Sequence, residues 1–460
     1  MQDNAPAHEQ TAHQGATQNA EQVAALSAAV AARDIGAVRT LAGDLNAPDL
    51  ASLIELLEPD ERVAVIEMLG SDFDPEVLSE VDASVRDQLS EDLPNEVLAE
   101  AVAQLDTDDA AYVIEGLEEA DKQDVLSQIP SSDRAALEKN LEYPEETAGR
   151  LMQTDFVAVP PFWTVGQVID QMRDTADLPE TFSDIFVVDP TYRVVGSVDL
   201  SRLLRSKRDV GIDQLLDPDR RVLLATADQE EMARQFERYD LKSAPVVDAN
   251  NRLVGVVTVD DVVEVIQEEA EEDLRFLAGV GDESLADSVI ETVRSRFLWL
   301  FINLGTAILA SLVIKQFDAS IEQMVALAVL MPVVASVGGN AGTQTMAVAV
   351  RALATEQLGP VNAGRVILRE ASVGLINGCL FAIVLGLVVL AWFGTGKLGM
   401  VIAAAIIFNL LAAALAGILV PLLLNHFDYD PAVSSGVFVT AVTDMVGFSA
   451  FLGLATLFLL

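Results

Sequence analysis

Asp444 stands in the middle of an apolar stretch, Thr440-AVTDMVGF, well inside a run that reaches from Ala432 to Leu460. A carboxylate in hydrocarbon costs roughly 2.5–3.5 kcal/mol even on a mild insertion scale. No Lys or Arg shares the interior of an apolar run with it, so no internal ion pair offsets that cost. Two chemistries remain open: a water-filled path that brings a cation to the carboxylate, or a protonated acid that donates a hydrogen bond. Intramembrane acids mark ion routes, which makes the cation path the expectation. A second polar group of the same kind is Met331-PVVASVGGNAGTQT. Pro332, Gly338, Gly339 and Gly342 are expected to loosen a helix there, and Asn340, Thr343, Gln344 and Thr345 to place polar groups at membrane depth. Irregular backbone at that depth is tolerated only where it lines a cavity or is buried in protein. Small-residue packing explains the glycines but not the adjacent Asn and Gln. Asn409 and Pro421, in a later apolar run, point the same way.

Two further acidic groups flank the apolar part. Asp428, Tyr429, Asp430 and Pro431 precede the last run, where an Asp serves either as an ordinary N-cap or as a cation site at a pore mouth. Asp261, Glu264, Glu268, Glu269, Glu272 and Asp273 recur at three- and four-residue steps, so like charges stack along one helix face and repel. Such a run is a solvated face unless a cation bridges it. Hard cations such as Mg²⁺ take oxygen ligands and keep several waters, which suits loosely arranged carboxylates.

The elements that must hold these residues follow from charge and hydropathy. The 460 residues carry 71 Asp and Glu against 28 Lys and Arg, a formal net charge of −43, yet 51% are hydrophobic. Charge and hydropathy part near residue 293. From Glu291 on there are eight acids and from Arg294 on seven bases, so the excess acid lies almost wholly in the first part. Five apolar runs follow, Phe297–Phe317, Ile321–Val350, Val366–Phe393, Leu398–Leu424 and Ala432–Leu460, each long enough to cross a bilayer. Arg294, Arg296, Arg351, Arg365 and Arg369 fall on one side of them, and only Lys315 and Lys397 on the other. The positive-inside rule then sets the acidic half in the cytosol and, with five spans, the C-terminus outside. An acidic surface excludes nucleic acid as a partner, because phosphate binding needs clustered Lys and Arg. The single Cys379 offers no disulfide framework, and three His offer no zinc cluster.

The acidic half divides further. Residues 1–23 have neither a basic start nor an apolar core and read as a disordered lead, with His8 and His13 incidental. Residues 24–150 show short helical runs punctuated by Pro59, Pro75, Pro94 and Pro130, with Asp and Thr suited to N-caps, as in a small all-α solenoid. Residues 151–266 contain a repeat. Asp184-IFVVDPTYRVVGSVDLSRLL matches Ser243-APVVDANNRLVGVVTVDDVV at a constant offset of 59, each copy reading strand, turn, strand, helix. This resembles a tandem pair of CBS domains with an α/β fold. An acidic connecting helix over 267–292 leads to the membrane part, 293–460.

In this order the chain resembles the MgtE family of Mg²⁺ channels. The GGNAGTQ segment with its following RAL, the DPA before the last run and the D-x-x-G around Asp444 carry the likeness. The resemblance implies a homodimer in the cell (inner) membrane, with Asp444 holding hydrated Mg²⁺ in an axial pore, Asp430 at its cytosolic mouth, and Asn340, Thr343, Gln344 and Asn409 lining the path. It implies regulatory Mg²⁺ on Asp108, Asp109, Asp228, Glu230, Asp240, Asp261, Glu264, Glu269, Glu272 and Asp273, with a connecting "plug" helix that closes the pore when cytosolic Mg²⁺ is high. Thr258 and Asp261 also fit the CBS pattern for a nucleotide ribose, so ATP is an expected second ligand. This chain departs from the family at Val437, where proline is common, at Ala441, where a second threonine is frequent, and at Tyr112, where an acid is typical. A passive channel is the expected function, with an ion-coupled carrier as the alternative and a non-conducting sensor as a third class. No phosphate-cradling G-x-x-x-x-G-K-[ST] and no nucleophile constellation calls for an enzyme.

Overall fold

Prolines and short polar caps cut the first part of the chain into brief helices, as its punctuation predicts. The computed structural model describes residues 20–460 except 176–177, 180, 218–220, 281–288, 356 and 428. His8, His13 and Asp428 therefore lie outside the described residues. Helix begins at Ala20–Ala31, slightly inside the expected lead. Asp34, Asn46 and Asp82 each accept a bond from a backbone N–H in the first turn of their helices, and Glu58 with Glu61 forms a capping box ahead of Pro59. From Ile35–Ala42 to Ser131–Leu141 most helices pack on the next but one, and the short Val77–Glu80 reaches Thr107–Ile114, which is how a solenoid buries faces that no single unit covers. Ile54, Val65, Ile66, Leu89, Leu98 and Ile114 are fully buried along this seam. Each is worth roughly 1.5–3 kcal/mol of transfer free energy.

The repeat folds as two small sheets with one register. Strand β1 (Ala158–Val159) pairs parallel to β2 (Asp184–Val188), which pairs antiparallel to β3 (Val194–Asp199). The second copy repeats this with β4 (Leu223–Leu224), β5 (Ser243–Val247) and β6 (Leu253–Thr258). The offset of 59 survives in detail, since Val187 faces Gly196 and Val246 faces Gly255. Equivalent positions also meet each other: Ser243 Oγ donates to Asp184 Oδ2 at 2.8 Å, and Arg193 bridges Arg252. Self-pairing of equivalent residues places a local two-fold between the copies. The two-residue strands β1 and β4 escaped the sequence reading because they are too short to show a period.

The chain divides into two units, Met1–Glu268 and Glu269–Leu460, and the division falls within one helix, Val259–Ala278. The expected boundary at 266/267 thus lies inside continuous helix, because no Gly or Pro interrupts the chain until Gly279, at φ +72°.

In the second unit the five expected runs are five long helices, Val289–Lys315, Ala326–Ala354, Ala363–Phe393, Gly396–His426 and Pro431–Phe458, here the first to fifth spans. The fourth is the hub. It packs against the second, third and fifth, while the first leans mainly on the fifth and is otherwise largely exposed. The loosened backbone expected in the second span is absent: Ala326–Ala354 is one unbroken helix through Pro332 and the glycines. An unpaired backbone group is expensive away from water, so the helix keeps its internal bonds. The glycines serve close approach instead. A Cβ on Gly342 would lie 2.6 Å from Val439 Cγ1, and one on Gly417 would lie 2.7 Å from Gly342 O.

Candidate functional site

The fifth span opens with Pro431 in the first helical position, capped by Asp430, which accepts from Ala432 N at 2.7 Å. Asp444 lies about 20 Å along this helix at 1.5 Å per residue, midway to its other end. It is half-buried. Among the described residues it joins no salt bridge and no hydrogen bond. Its neighbours are arranged by helical periodicity. Thr443 turns inward and donates to Thr440 O, while Thr440 faces out. On the second span, which packs against the fifth, Asn340, Thr343 and Gln344 are exposed together. Hydroxyl, amide and carboxylate oxygens thus share the exposed surface of a unit whose outer residues, such as Leu375, Ile383 and Leu387, are otherwise apolar.

Asn409 does not belong to that surface. The side chain expected to line the path is fully buried, with Nδ2 donating to Val334 O at 2.8 Å. It is wedged between helices because Gly338 and Gly447 lack the Cβ that would exclude it. Glu370, near the start of the third span, is a further buried carboxylate at 9% exposure.

At the start of the fifth span a second acidic pair forms within the same unit. Asp273 has its carboxyl raised above the usual range, first by burial and then by Asp430. Phe276 and Leu277, one turn further along the connecting helix, pack on a cluster of Met346, Val350, Ala432 and Val439 from the second and fifth spans. Glu269 and Glu272 lie on the same stretch of helix and are half-buried.

In the first unit the structure brings together Asp108, Asp109, Asp261 and Glu264. Asp108 and Asp109 open the helix Thr107–Ile114, and Asp261 and Glu264 occupy the first turns of Val259–Ala278. Thr107 Oγ1 meets Thr154 Oγ1 at 2.7 Å and Tyr112 Oη donates to Glu268 at 3.1 Å, so the helical region is docked on the CBS pair and its last helix. Burial, then Asp261, holds Asp108 well above the ordinary carboxylate range. Burial and Asp261 push Asp109 up to about 7. Burial raises Asp261 to about 6 against the two bonds that Thr258 N and Oγ1 donate to its Oδ2, at 3.2 and 2.6 Å. Glu264, raised to about 7, is the most open of the four and the weakest member. The charged neighbours that act most strongly on these groups are other acids. Asp106, Glu76 and Glu80 were not singled out in the sequence, because their approach depends on how the solenoid docks.

Asp228, Glu230 and Asp240 are not drawn into this cluster. Asp228 caps the helix Gln229–Tyr239, Glu230 pairs with Arg234 at 3.3 Å, and Asp240 ends the helix in a left-handed conformation. Asp240 faces a cavity of about 670 Å³ with Asp184, Asp199, Asp217, Arg221 and Lys242. At Tyr112, where the family resemblance leads one to expect an acid, the ring is covered by the buried Arg86 guanidinium, 3.3 Å from its centroid. Burial pushes the phenol up to about 12, so it stays a neutral donor to Glu268.

The donor set suits a hard divalent cation. Every ligand atom is oxygen, and Asp108 Oδ1 is buried with no hydrogen-bond partner. Among the described residues no three acids close tightly enough to form a preformed chelate. Docking these acids raises their proton affinity, so the docked form takes up protons. Docking is therefore favoured as pH falls from about 7 towards the ordinary carboxylate range, and opposed as pH rises through 6 to 7. Without Mg²⁺, limited proteolysis between residues 140 and 155 is expected to be slower at pH 5.5 than at pH 8. Equal rates at the two values would contradict a docked acidic cluster.

Matches to known proteins supply the class first. Residues 331–454 match the family model of a divalent cation transporter, MgtE; residues 45–146 match the MgtE intracellular N domain; residues 148–209 and 213–268 match CBS domains. The magnesium transporter MgtE of Bacillus subtilis (strain 168) is 32% identical over 327 residues, 70% of this chain and 72% of that protein. That of Thermus thermophilus is 35% identical over 329 residues, 71% and 73% of the two chains. A crystal structure of the cytosolic domain of the Mg²⁺ channel MgtE in complex with ATP covers 53% of this chain and 99% of its own, at 31% identity and a TM-score of 0.49. The chain belongs to the MgtE family of magnesium transporters.

Proposed function

We propose that the chain is a Mg²⁺ channel that works as a homodimer in the cell membrane and closes when cytosolic Mg²⁺ binds its acidic first unit. The observation that carries the pore is Asp444, half-exposed at mid-span without a cationic partner among the described residues, on a helix packed against the second span, where Asn340, Thr343 and Gln344 are exposed. In a single chain these groups would face lipid. A second copy placing its own Asp444 opposite would enclose them around water and a hydrated ion. Asp430 with Asp273 then forms the cytosolic mouth. This orientation puts the N-terminal half in the cytosol and the C-terminus outside.

Closure rests on the four docked acids of the first unit. They repel one another unless protons or a divalent cation neutralise them, so docking senses cation concentration. Asp228, Glu230, Asp240, Glu269 and Glu272 are further candidates for regulatory Mg²⁺, on surfaces a partner subunit could reach. An adenine nucleotide at the CBS pair would use Thr258 and Asp261, and would compete there with metal. Passive entry needs no fuel: a potential of 100 mV supplies roughly 2.3 kcal/mol per charge, about 4.6 for a divalent ion. The test is flux into liposomes holding the purified protein, with Mg²⁺ varied on the cytosolic face. Flux that falls as that Mg²⁺ rises and needs no second gradient supports the channel. Flux that reverses with an imposed pH or Na⁺ gradient would replace it with the coupled carrier.

A further inference from the structure

We infer that Asn409 is a positioning residue: its carboxamide sets the separation of the second and fifth spans at the level of Asp444. The inference rests on the reading of Asp444 as the pore site. Asn409 sits mid-way along the fourth span, the hub of the unit, with no exposed surface. Nδ2 donates to Val334 O of the second span at 2.8 Å, and Oδ1 is buried without a hydrogen-bond partner. Glycines press on the amide from both neighbours. A Cβ on Gly338 would fall 2.2 Å from Nδ2, and one on Gly447 would fall 2.8 Å from it.

Gly447 is the glycine of the D-x-x-G motif, one helical turn beyond Asp444. The turn just before Asp444 is seated in the same way, because a Cβ on Gly342 would meet Thr443 Cγ2 at 3.3 Å. Asp444 is thus held between two close contacts with the second span, one direct and one through the Asn409 amide. A packing role alone would be met at lower cost by leucine, which has similar volume and leaves no buried polar atom unpaired. The amide adds a directed bond to one carbonyl, and a directed bond fixes distance where apolar contact does not.

The experiment uses the full-length protein in liposomes, with Mg²⁺ as the probe. Asn409→Leu is expected to raise the half-saturating Mg²⁺ concentration about three- to tenfold and to cut discrimination against Ca²⁺ by a similar factor. Maximal flux per folded protein should fall less. Gly447→Ala, which pushes on the same amide from the fifth span, should produce the same shift, and that shift should vanish in an Asn409→Ala background. If Asn409→Leu does not fold, Gly447→Ala alone decides the matter. Unchanged half-saturation and selectivity in folded variants would overturn the inference, as would a loss of flux that only follows the loss of folded protein. Asp444→Asn separates the two levels. Retained flux there removes the pore reading itself, whereas lost flux with unaltered Asn409 and Gly447 variants removes only the positioning role.

Discussion

Asp444→Asn is expected to bring Mg²⁺ flux to background while leaving the amount of folded protein unchanged or higher. A carboxylate and a divalent ion about 5 Å apart attract by roughly 6–7 kcal/mol at an effective dielectric of 20. If water in the path leaves only a third of that, about 2 kcal/mol remains, or roughly 30-fold in ion occupancy per subunit. Two subunits facing one ion would compound the loss. Folding should not suffer, because among the described residues no side chain binds the carboxylate, and the amide removes a charge from a half-buried position. Growth rescue in cells that need Mg²⁺ uptake, together with liposome flux, measures the effect. Flux at the parent level would exclude Asp444 from the path. Flux lost only together with folded protein would make it a structural residue.

The second large effect is expected from the sensor. In Asp109→Asn/Asp261→Asn, closure should lose most of its response to cytosolic Mg²⁺. Two carboxylates about 5 Å apart repel by roughly 3 kcal/mol at the same effective dielectric, which corresponds to about 100-fold in a docking equilibrium. The double variant removes two of the four carboxylates, and with them much of the repulsion and half of the ligands, so docking loses most of its sensitivity to the ion. The parent should show strong Mg²⁺-dependent protection from protease at pH 8 and little at pH 5.5, where protons already neutralise the acids. The variant should be nearly flat at both values, and the Mg²⁺ concentration that half-inhibits flux should rise more than tenfold. A variant that keeps the parent's Mg²⁺ response would place the sensor elsewhere on the acidic surface.

Much of this was legible in the chain because it rests on local rules. Five apolar runs become five spans since hydrocarbon demands about 20 apolar residues with their backbone bonds made internally. The offset of 59 between Asp184 and Ser243 became a shared register because strand alternation and an Asp-centred turn are both short-range. Asp444 stood out by itself, as an unpaired charge where charge is costly. Tertiary structure decided what depends on contacts between distant segments. It turned Asn409 from a lining residue into a buried clamp, because only packing reveals that Gly338 and Gly447 meet at its amide. It kept the glycine-rich second span helical and used its glycines for close approach. It gathered Asp108, Asp109, Asp261 and Glu264 out of a long acidic sequence and left Asp228, Glu230 and Asp240 at the ends of one helix. Periodicity tells which face of a helix a residue occupies. Which partner that face meets, and whether a polar group there finds water or protein, is set by the docking of whole elements.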